Sequence, residues 1–315
     1  MHALSPWDDS PTAPWSQLQR RLRDAPDVWT LLRDALREHP ATKGHLTAIA
    51  PYYPERPSDS AWFTSTWQPA GAEVLVKVNV TRREHFWMTA ASRSAPGVVP
   101  HVYAGDTALG NVDAAWLVLE RIPYQHEPAW GPPAFTALLQ AAARFQAFAS
   151  SVETDLAYDE DAATIRHWAL AGRGIGEHAG RVVRNIEEDW AWAEAVAGRE
   201  VLFGDLHFGN AAFRSRPPWL SAVLFDPIPR RQPWPFEAAY LEVLCGGAGL
   251  VREMAAIRAA QGRPVPAGEE VDRLSALFCG WMALLFWGTV PHRRADPVWR
   301  ARLTRYVAAA ARLDR

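Results

Sequence analysis

Between residues 202 and 226 the sequence groups hard-oxygen side chains at spacings suited to handling phosphate. Leu202-Phe203-Gly204-Asp205-Leu206-His207-Phe208-Gly209-Asn210 sets an Asp and a His between two glycines and closes on an Asn. Ala211 to Arg214, the turn Ser215-Arg216-Pro217-Pro218 and Trp219 to Phe225 follow, ending at Asp226-Pro227. Read as a hairpin, this stretch has its midpoint in the proline turn. Antiparallel strands then return Asp226 to the same end as Asn210. One amide oxygen and one carboxylate there suit Mg²⁺, which takes oxygen ligands together with phosphate. Asp205, just upstream, remains to orient a hydroxyl. A Gly-Asp pair before a strand is also an ordinary turn, with the Asp capping an amide. The ordered set of Gly204-Asp205, Asn210 and strand-terminal Asp226 is what favours a site.

A second signal is a scarcity. Of 33 basic residues only Lys43 and Lys77 are lysines. The chain uses Arg wherever a generic positive charge is wanted. A lysine inside the apolar run Val74-Leu75-Val76-Lys77-Val78 therefore asks for a compact point charge on a flexible stem, which arginine does not offer. The competing reading is an edge lysine on a solvated face. Lys43, beside Gly44, has no such context.

The elements that must position these residues divide the chain. Trp15 to His39 has helical spacing, and Pro40 ends it. His45 to Ala50, Trp62 to Trp67 and Glu73 to Val80 are expected as an antiparallel meander, with Val74, Val76 and Val78 on one face. Pro51 to Ser60 is expected as a polar loop, and Thr81 as the cap of a helix through Ser92. Val98 to Ala104 and Ala115 to Ile122 are further strands. After the proline-rich stretch 122–133 the pattern turns helical: Phe135 to Ser150, most of Thr164 to Val196, Pro235 to Gly246, Val271 to Thr289 and Asp296 to Leu313. The expected domains are 1–122 and 123–315.

Composition excludes several classes. Net charge is −2, so no strong field points to nucleic acid or a membrane surface. No apolar run is expected to reach the length and hydropathy of a membrane span. Met1 to Asp9 lacks a signal-peptide pattern, so a cytoplasmic location is expected. Cys245 and Cys279 are expected as buried thiols, not zinc ligands. The acidic runs Glu153, Asp155, Asp159, Glu160, Asp161 and Glu187, Glu188, Asp189 are expected on solvated surfaces, as acidic runs usually are. The alternative is that they neutralise amino groups of a substrate. Of the 16 tryptophans, those at helical spacing, such as Trp281, are expected in the core.

The stretch Gly204 to Asn210, followed by Val223-Leu224-Phe225-Asp226-Pro227, resembles the catalytic signature of aminoglycoside phosphotransferases, relatives of choline and fructosamine kinases in the protein-kinase-like superfamily. The family usually has His before the Gly-Asp pair, where this chain has Phe203. Pro235 to Leu241 resembles the helix start that follows, with Glu237 where Asp is usual. The resemblance implies an α+β, two-lobed kinase-like fold. Its N-lobe would be a small antiparallel sheet with one helix, nucleotide-binding, and its C-lobe larger, mainly helical and catalytic. It implies Asp205 as catalytic base and Asn210 and Asp226 as metal ligands, with His207 shaping the loop. Lys77 would meet the nucleotide phosphates, held by Glu84. Backbone groups of Glu120 and Ile122 would bind the purine edge. Ser58 and Ser60 stand where family members carry a phosphate loop, although no Gly-rich turn is present.

The activity so implied is O-phosphotransfer from ATP or GTP, with Mg²⁺, to a hydroxyl of a small molecule such as an aminoglycoside-like antibiotic, another amino sugar or nucleoside, or an alcohol metabolite. Two alternatives remain: phosphorylation of Ser or Thr in a ribosomal precursor peptide, and a nucleotide-binding pseudokinase acting as a partner protein. No nucleic-acid or membrane partner is expected.

Overall fold

The computed structural model describes residues 26–52, 60–111, 114–122, 131–216 and 219–313. The chain divides into two compact units, 1–124 and 125–315.

In the first unit, helix α1 (Pro26–Glu38) precedes strands β1 (Leu46–Tyr52), β2 (Ala61–Trp67) and β3 (Ala72–Val80); helix α2 (Arg82–Ser94), β4 (Val102–Asp106) and β5 (Ala115–Glu120) follow. The sheet order is β1-β2-β3-β5-β4, antiparallel throughout. Alternation decides what lies on each face. Val74, Val76 and Val78 of β3 join Phe63, Trp116 and Val118 in a buried cluster, which Leu32 and Leu36 of α1 complete. Leu117 and Leu119, the intervening residues of β5, are also buried, so that strand is covered on both faces. Helix α2 buries Trp87, Met88 and Ala91. Thr81 caps it as expected, its hydroxyl accepting the Glu84 N–H at 2.9 Å.

Two expectations need correction here. Strand β1 continues through Pro51 and Tyr52, so the loop begins later; residues 53–59 lie outside the described residues. The expected strand Val98 to Ala104 begins only at Val102, because Pro100 has no N–H to give a ladder. The first predicted helix is helical over Pro26–Glu38; its residues 15–25 lie outside the described residues.

The second unit holds α3 (Pro132–Ala149), β6 (Tyr158–Asp159), α4 (Ala162–Leu170), α5 (Ala179–Ala197) and β7 (Arg199–Leu202). Next come β8 (Ala211–Arg216), β9 (Trp219–Leu224), β10 (Arg230–Pro233), α6 (Pro235–Cys245), α7 (Leu250–Ala260), α8 (Gly268–Thr289) and α9 (Pro297–Ala311). Helix α8 is the central element. Val271, Leu274, Phe278, Trp281 and Leu285 recur at helical spacing and are all buried, and α4, α5, α6, α7 and α9 pack around it. Among the described residues it is the one helix long and apolar enough to cross a membrane, contrary to expectation; its burial makes it the core helix of this unit.

The acidic runs are not uniformly solvated. Glu160 is buried in an ion pair with Arg230, Asp161 caps α4, and buried Asp189 lies 3.7 Å from Arg273. Cys279 is buried and Cys245 partly so.

Candidate active site

In the first unit, β3 and α2 bring Lys77 and Glu84 together. Lys77 Nζ lies 2.6 Å from Glu84 Oε1, with the two side chains only 6% and 10% exposed. The tight turn at Thr81 starts the helix so that its first-turn glutamate points back at β3. Lys77 is therefore a buried, paired cation and not an edge lysine. Trp62, its direct neighbour across the β2–β3 register, presents its ring 5.1 Å from Nζ, a cation–π contact that the sequence reading missed. Cross-strand pairing two residues past the loop was the available signal.

Ser60 is buried and its hydroxyl donates to the Asn79 carbonyl at 3.1 Å. Ser58 lies outside the described residues. Glu120 ends β5, its N–H donating to the His101 carbonyl at 2.8 Å and its carboxylate accepting the His101 N–H at 3.2 Å. Ile122 follows, partly buried.

In the second unit, β7 delivers Phe203-Gly204-Asp205. Phe203 is fully buried and meets Phe145 edge-on, centroids 5.5 Å apart. Gly204 has φ +93°, and a Cβ there would fall 1.7 Å from the Ile228 carbonyl oxygen. Only glycine combines that backbone region with that approach. A short 3₁₀ turn, Phe208–Asn210, leads into β8. Ala211 pairs with Leu224, and Phe225 N–H donates to the Asn210 carbonyl at 3.0 Å. The ladder therefore brings Asn210 and Asp226 to one end of the hairpin, as the spacing predicts. Asp226 adopts a left-handed backbone, φ +60°, a conformation that favours Gly, Asn and Asp and turns the chain sharply off the strand.

The Asp205 carboxylate is held at both oxygens. Tyr240 O–H donates to Oδ1 at 2.8 Å, and Asn210 Nδ2 donates to Oδ2 at 2.8 Å. His207 Nε2 lies 3.5 Å from Oδ2. Its Nδ1 accepts the Gly209 N–H at 2.8 Å, which puts the proton of the neutral ring on Nε2, facing Asp205. Burial pushes the Asp205 pKa up, but the donors His207, Tyr240 and Asn210 outweigh it and hold the carboxyl below the ordinary aspartate range.

Behind the loop runs a buried polar chain. Glu237, at the start of α6, accepts the Gly204 N–H at 3.0 Å on Oε1 and Gln146 Nε2 at 2.8 Å on Oε2. Gln146 Oε1 accepts from Arg258 at 2.8 Å, and Arg258 grips Glu200 through both terminal nitrogens, at 2.9 and 2.6 Å. Burial pushes Glu237 up to about 7, against the hydrogen bonds from Gln146, Gly204 and Phe203. Gln146, Glu200, Arg258 and Tyr240 carried no sequence signal; their partners lie 35 to 112 residues away.

A divalent cation fits the hairpin end. Asn210 uses Nδ2 toward Asp205, at both the carboxylate and, at 3.2 Å, the main-chain carbonyl, so its Oδ1 points away from Asp205 and is the atom a cation would use. Asp226, brought to the same end of the hairpin, would be the second oxygen donor, and two protein ligands completed by phosphate and water are a pattern of Mg²⁺ sites. Among the described residues no cluster of three or more His, Cys, Asp or Glu could hold a metal without such help.

No protein-family model matches the sequence, and no curated protein matches it. Solved structures do match the fold. A thermostable mutant of aminoglycoside phosphotransferase APH(4)-Ia, in ternary complex with AMP-PNP and hygromycin B, superposes with TM-score 0.52. It shares 12% identity over 90% of this chain and 100% of its own. A protein assigned as a fructosamine-3-kinase from Haemophilus somnus 129PT gives TM-score 0.51 and 12% identity, over 90% of this chain and 97% of that one. A choline/ethanolamine kinase family protein from Mesorhizobium loti gives 0.52 and 15%, over 90% and 93%. The chain therefore has the protein-kinase-like fold that these structures share.

Proposed function

We propose that the protein transfers the γ-phosphoryl group of ATP or GTP to a hydroxyl of a small molecule. The observation that carries the reading is the ionised, doubly held Asp205 carboxylate beside Asn210, at the hairpin end that also carries Asp226. The fold supports it, since its structural neighbours are small-molecule kinases.

In this reading Asp205 accepts a hydrogen bond from the acceptor hydroxyl and orients its oxygen toward the γ-phosphorus. The oxygen lone pair forms the new P–O bond. The bridging P–O bond breaks, its electrons leaving on the nucleoside diphosphate, and the hydroxyl proton passes to Asp205. Asn210 and Asp226 would hold Mg²⁺, which supplies neutralisation of the phosphate charge. Within the first unit, Lys77, kept in place by Glu84, would be the fixed positive charge suited to phosphate. The purine could use the Glu120 carbonyl, since the Glu120 N–H is already committed to His101. Catalysis here is alignment and electrostatics, as expected for a loose phosphoryl-transfer transition state.

The test is phosphate transfer from labelled ATP and GTP, with Mg²⁺, onto a panel of aminoglycosides, sugars, nucleosides, amino alcohols and Ser/Thr peptides. Asp205→Asn should abolish turnover on any positive acceptor and leave nucleotide affinity nearly unchanged. A variant with wild-type kcat would refute the assignment.

A further inference from the structure

We propose that Tyr240 aims Asp205: its phenol holds Oδ1 and leaves Oδ2 as the oxygen that takes the acceptor's proton. This rests on the phosphotransfer reading above. A carboxylate's two oxygens are chemically equivalent, and rotation about an sp³–sp² bond is only weakly restricted. Something must choose which oxygen faces the acceptor and hold it there.

The donors differ in what they are attached to. Asn210 and His207 belong to the same six-residue segment as Asp205 and move with it. Tyr240 comes from α6, a helix buried along Pro235 to Val243. Its ring is only 6% exposed and packs on Phe286 of α8, centroids 5.2 Å apart. The 2.8 Å bond to Oδ1 therefore ties the carboxylate to the core of the unit. The phenol is also a dependable donor. Burial and the neighbouring Asp205 charge keep it protonated well above the ordinary tyrosine range.

The Oδ2 side is built for exchange. Asn210 Nδ2 divides its donation between Oδ2 and the Asp205 main-chain carbonyl, at 2.8 and 3.2 Å. The His207 Nε2–H also faces Oδ2, but at 3.5 Å it is a long, weak contact that an incoming group can displace; an acceptor O–H then takes the second position on Oδ2 beside Asn210, since each carboxylate oxygen accepts two hydrogen bonds. In the transfer step the acceptor's proton goes to Oδ2 as its oxygen bonds to phosphorus and the diphosphate departs with the electrons of the broken bond. Tyr240 keeps its own proton throughout and is a positioning residue.

Tyr240→Phe keeps the ring against Phe286 and deletes only the donor. The assay is Mg-nucleotide turnover with water as acceptor, which needs no identified substrate, alongside calorimetric nucleotide binding and thermal unfolding. For Tyr240→Phe, kcat should fall at least about tenfold, as misaimed catalytic groups do, with KM and Kd for the nucleotide within about twofold. Tyr240→Phe/Asp205→Asn should be no slower than Asp205→Asn alone, because the tyrosine acts through the carboxylate. Wild-type kcat in a folded Tyr240→Phe, with Asp205→Asn inactive, would overturn this inference and leave phosphotransfer standing. A loss confined to KM would overturn it too. Wild-type rates in Asp205→Asn, or no transfer by the wild type to water or to any acceptor of the panel above, would overturn the phosphotransfer reading itself.

Discussion

Replacing one member of the Lys77–Glu84 pair should cost far more than a surface ion pair can. The Nζ to Oε1 separation is 2.6 Å, and the side chains are 6% and 10% exposed. Glu84→Gln keeps shape and removes charge, leaving an ammonium in a site with almost no water. Breaking a buried pair from one side costs about 3–5 kcal/mol, whereas exposed pairs contribute about 0–1 kcal/mol. Lys77→Met should lose a similar amount for the mirror-image reason. The double variant Lys77→Met/Glu84→Leu should lose much less than the sum, because no charge is stranded. Hydrogen exchange of the β3 and β5 amides in a urea series isolates this unit from the other. Losses under about 1 kcal/mol in both single variants, or strictly additive losses in the double, would refute the reasoning. The pair would then be solvent-screened. The same geometry bears on turnover. Lys77→Arg retains charge but puts a larger planar group between Glu84 and the Trp62 ring. It should slow turnover at least about tenfold, roughly 1.4 kcal/mol of transition-state stabilisation.

Gly204→Ala should destabilise the second unit by roughly 3 kcal/mol or more, since φ is +93° and the new Cβ would meet the Ile228 carbonyl at 1.7 Å; equilibrium unfolding measures it. Glu237 gives a pH effect of defined sign. Its folded pKa of about 7 lies above the ordinary glutamate value, so the folded state holds the extra proton. Its contribution is complete below the unfolded pKa and is lost as pH rises toward 7, on the order of 3 kcal/mol in all. The stability difference between wild type and Glu237→Gln, which cannot titrate, should therefore drift with pH across that window. Urea midpoints at pH 5 and pH 8 check it.

What the sequence made legible was local or periodic. Lys77 stood out because lysine is scarce and valines alternate around it, and a helix start seven residues on supplied Glu84. Asn210 and Asp226 were placed together by hairpin arithmetic alone. The loop's support was not legible, because Tyr240 and Gln146 reach it from other helices. Strands β6 and β10 are two and four residues long, too short to show a period. Helix α7 was missed behind Gly246-Gly247-Ala248-Gly249, although Leu250, Val251, Met254, Ala255 and Arg258 lie on one buried face. Glu160 and Asp189 sit in acidic runs, which usually signal solvated surfaces. Arg230 and Arg273 lie 70 and 84 positions further along the chain.

Two carboxylates on either side of one loop show how the site divides its work. Glu237 is fully buried, and the N–H donors around it do not offset its desolvation, so its pKa rises to about 7. Asp205 is also largely buried, yet a phenol, an amide and an imidazole N–H converge on it and its pKa falls. A strong general base would need the opposite arrangement, with few donors and a raised pKa. A carboxylate this well solvated by the protein is a weak base with a fixed direction. That suits phosphoryl transfer, in which the proton leaves late and the demand is on alignment. In the proposed phosphotransfer, Asp205 would therefore position the hydroxyl first and collect its proton only afterwards. Rate should then depend more on the orientation of the carboxylate than on its basicity.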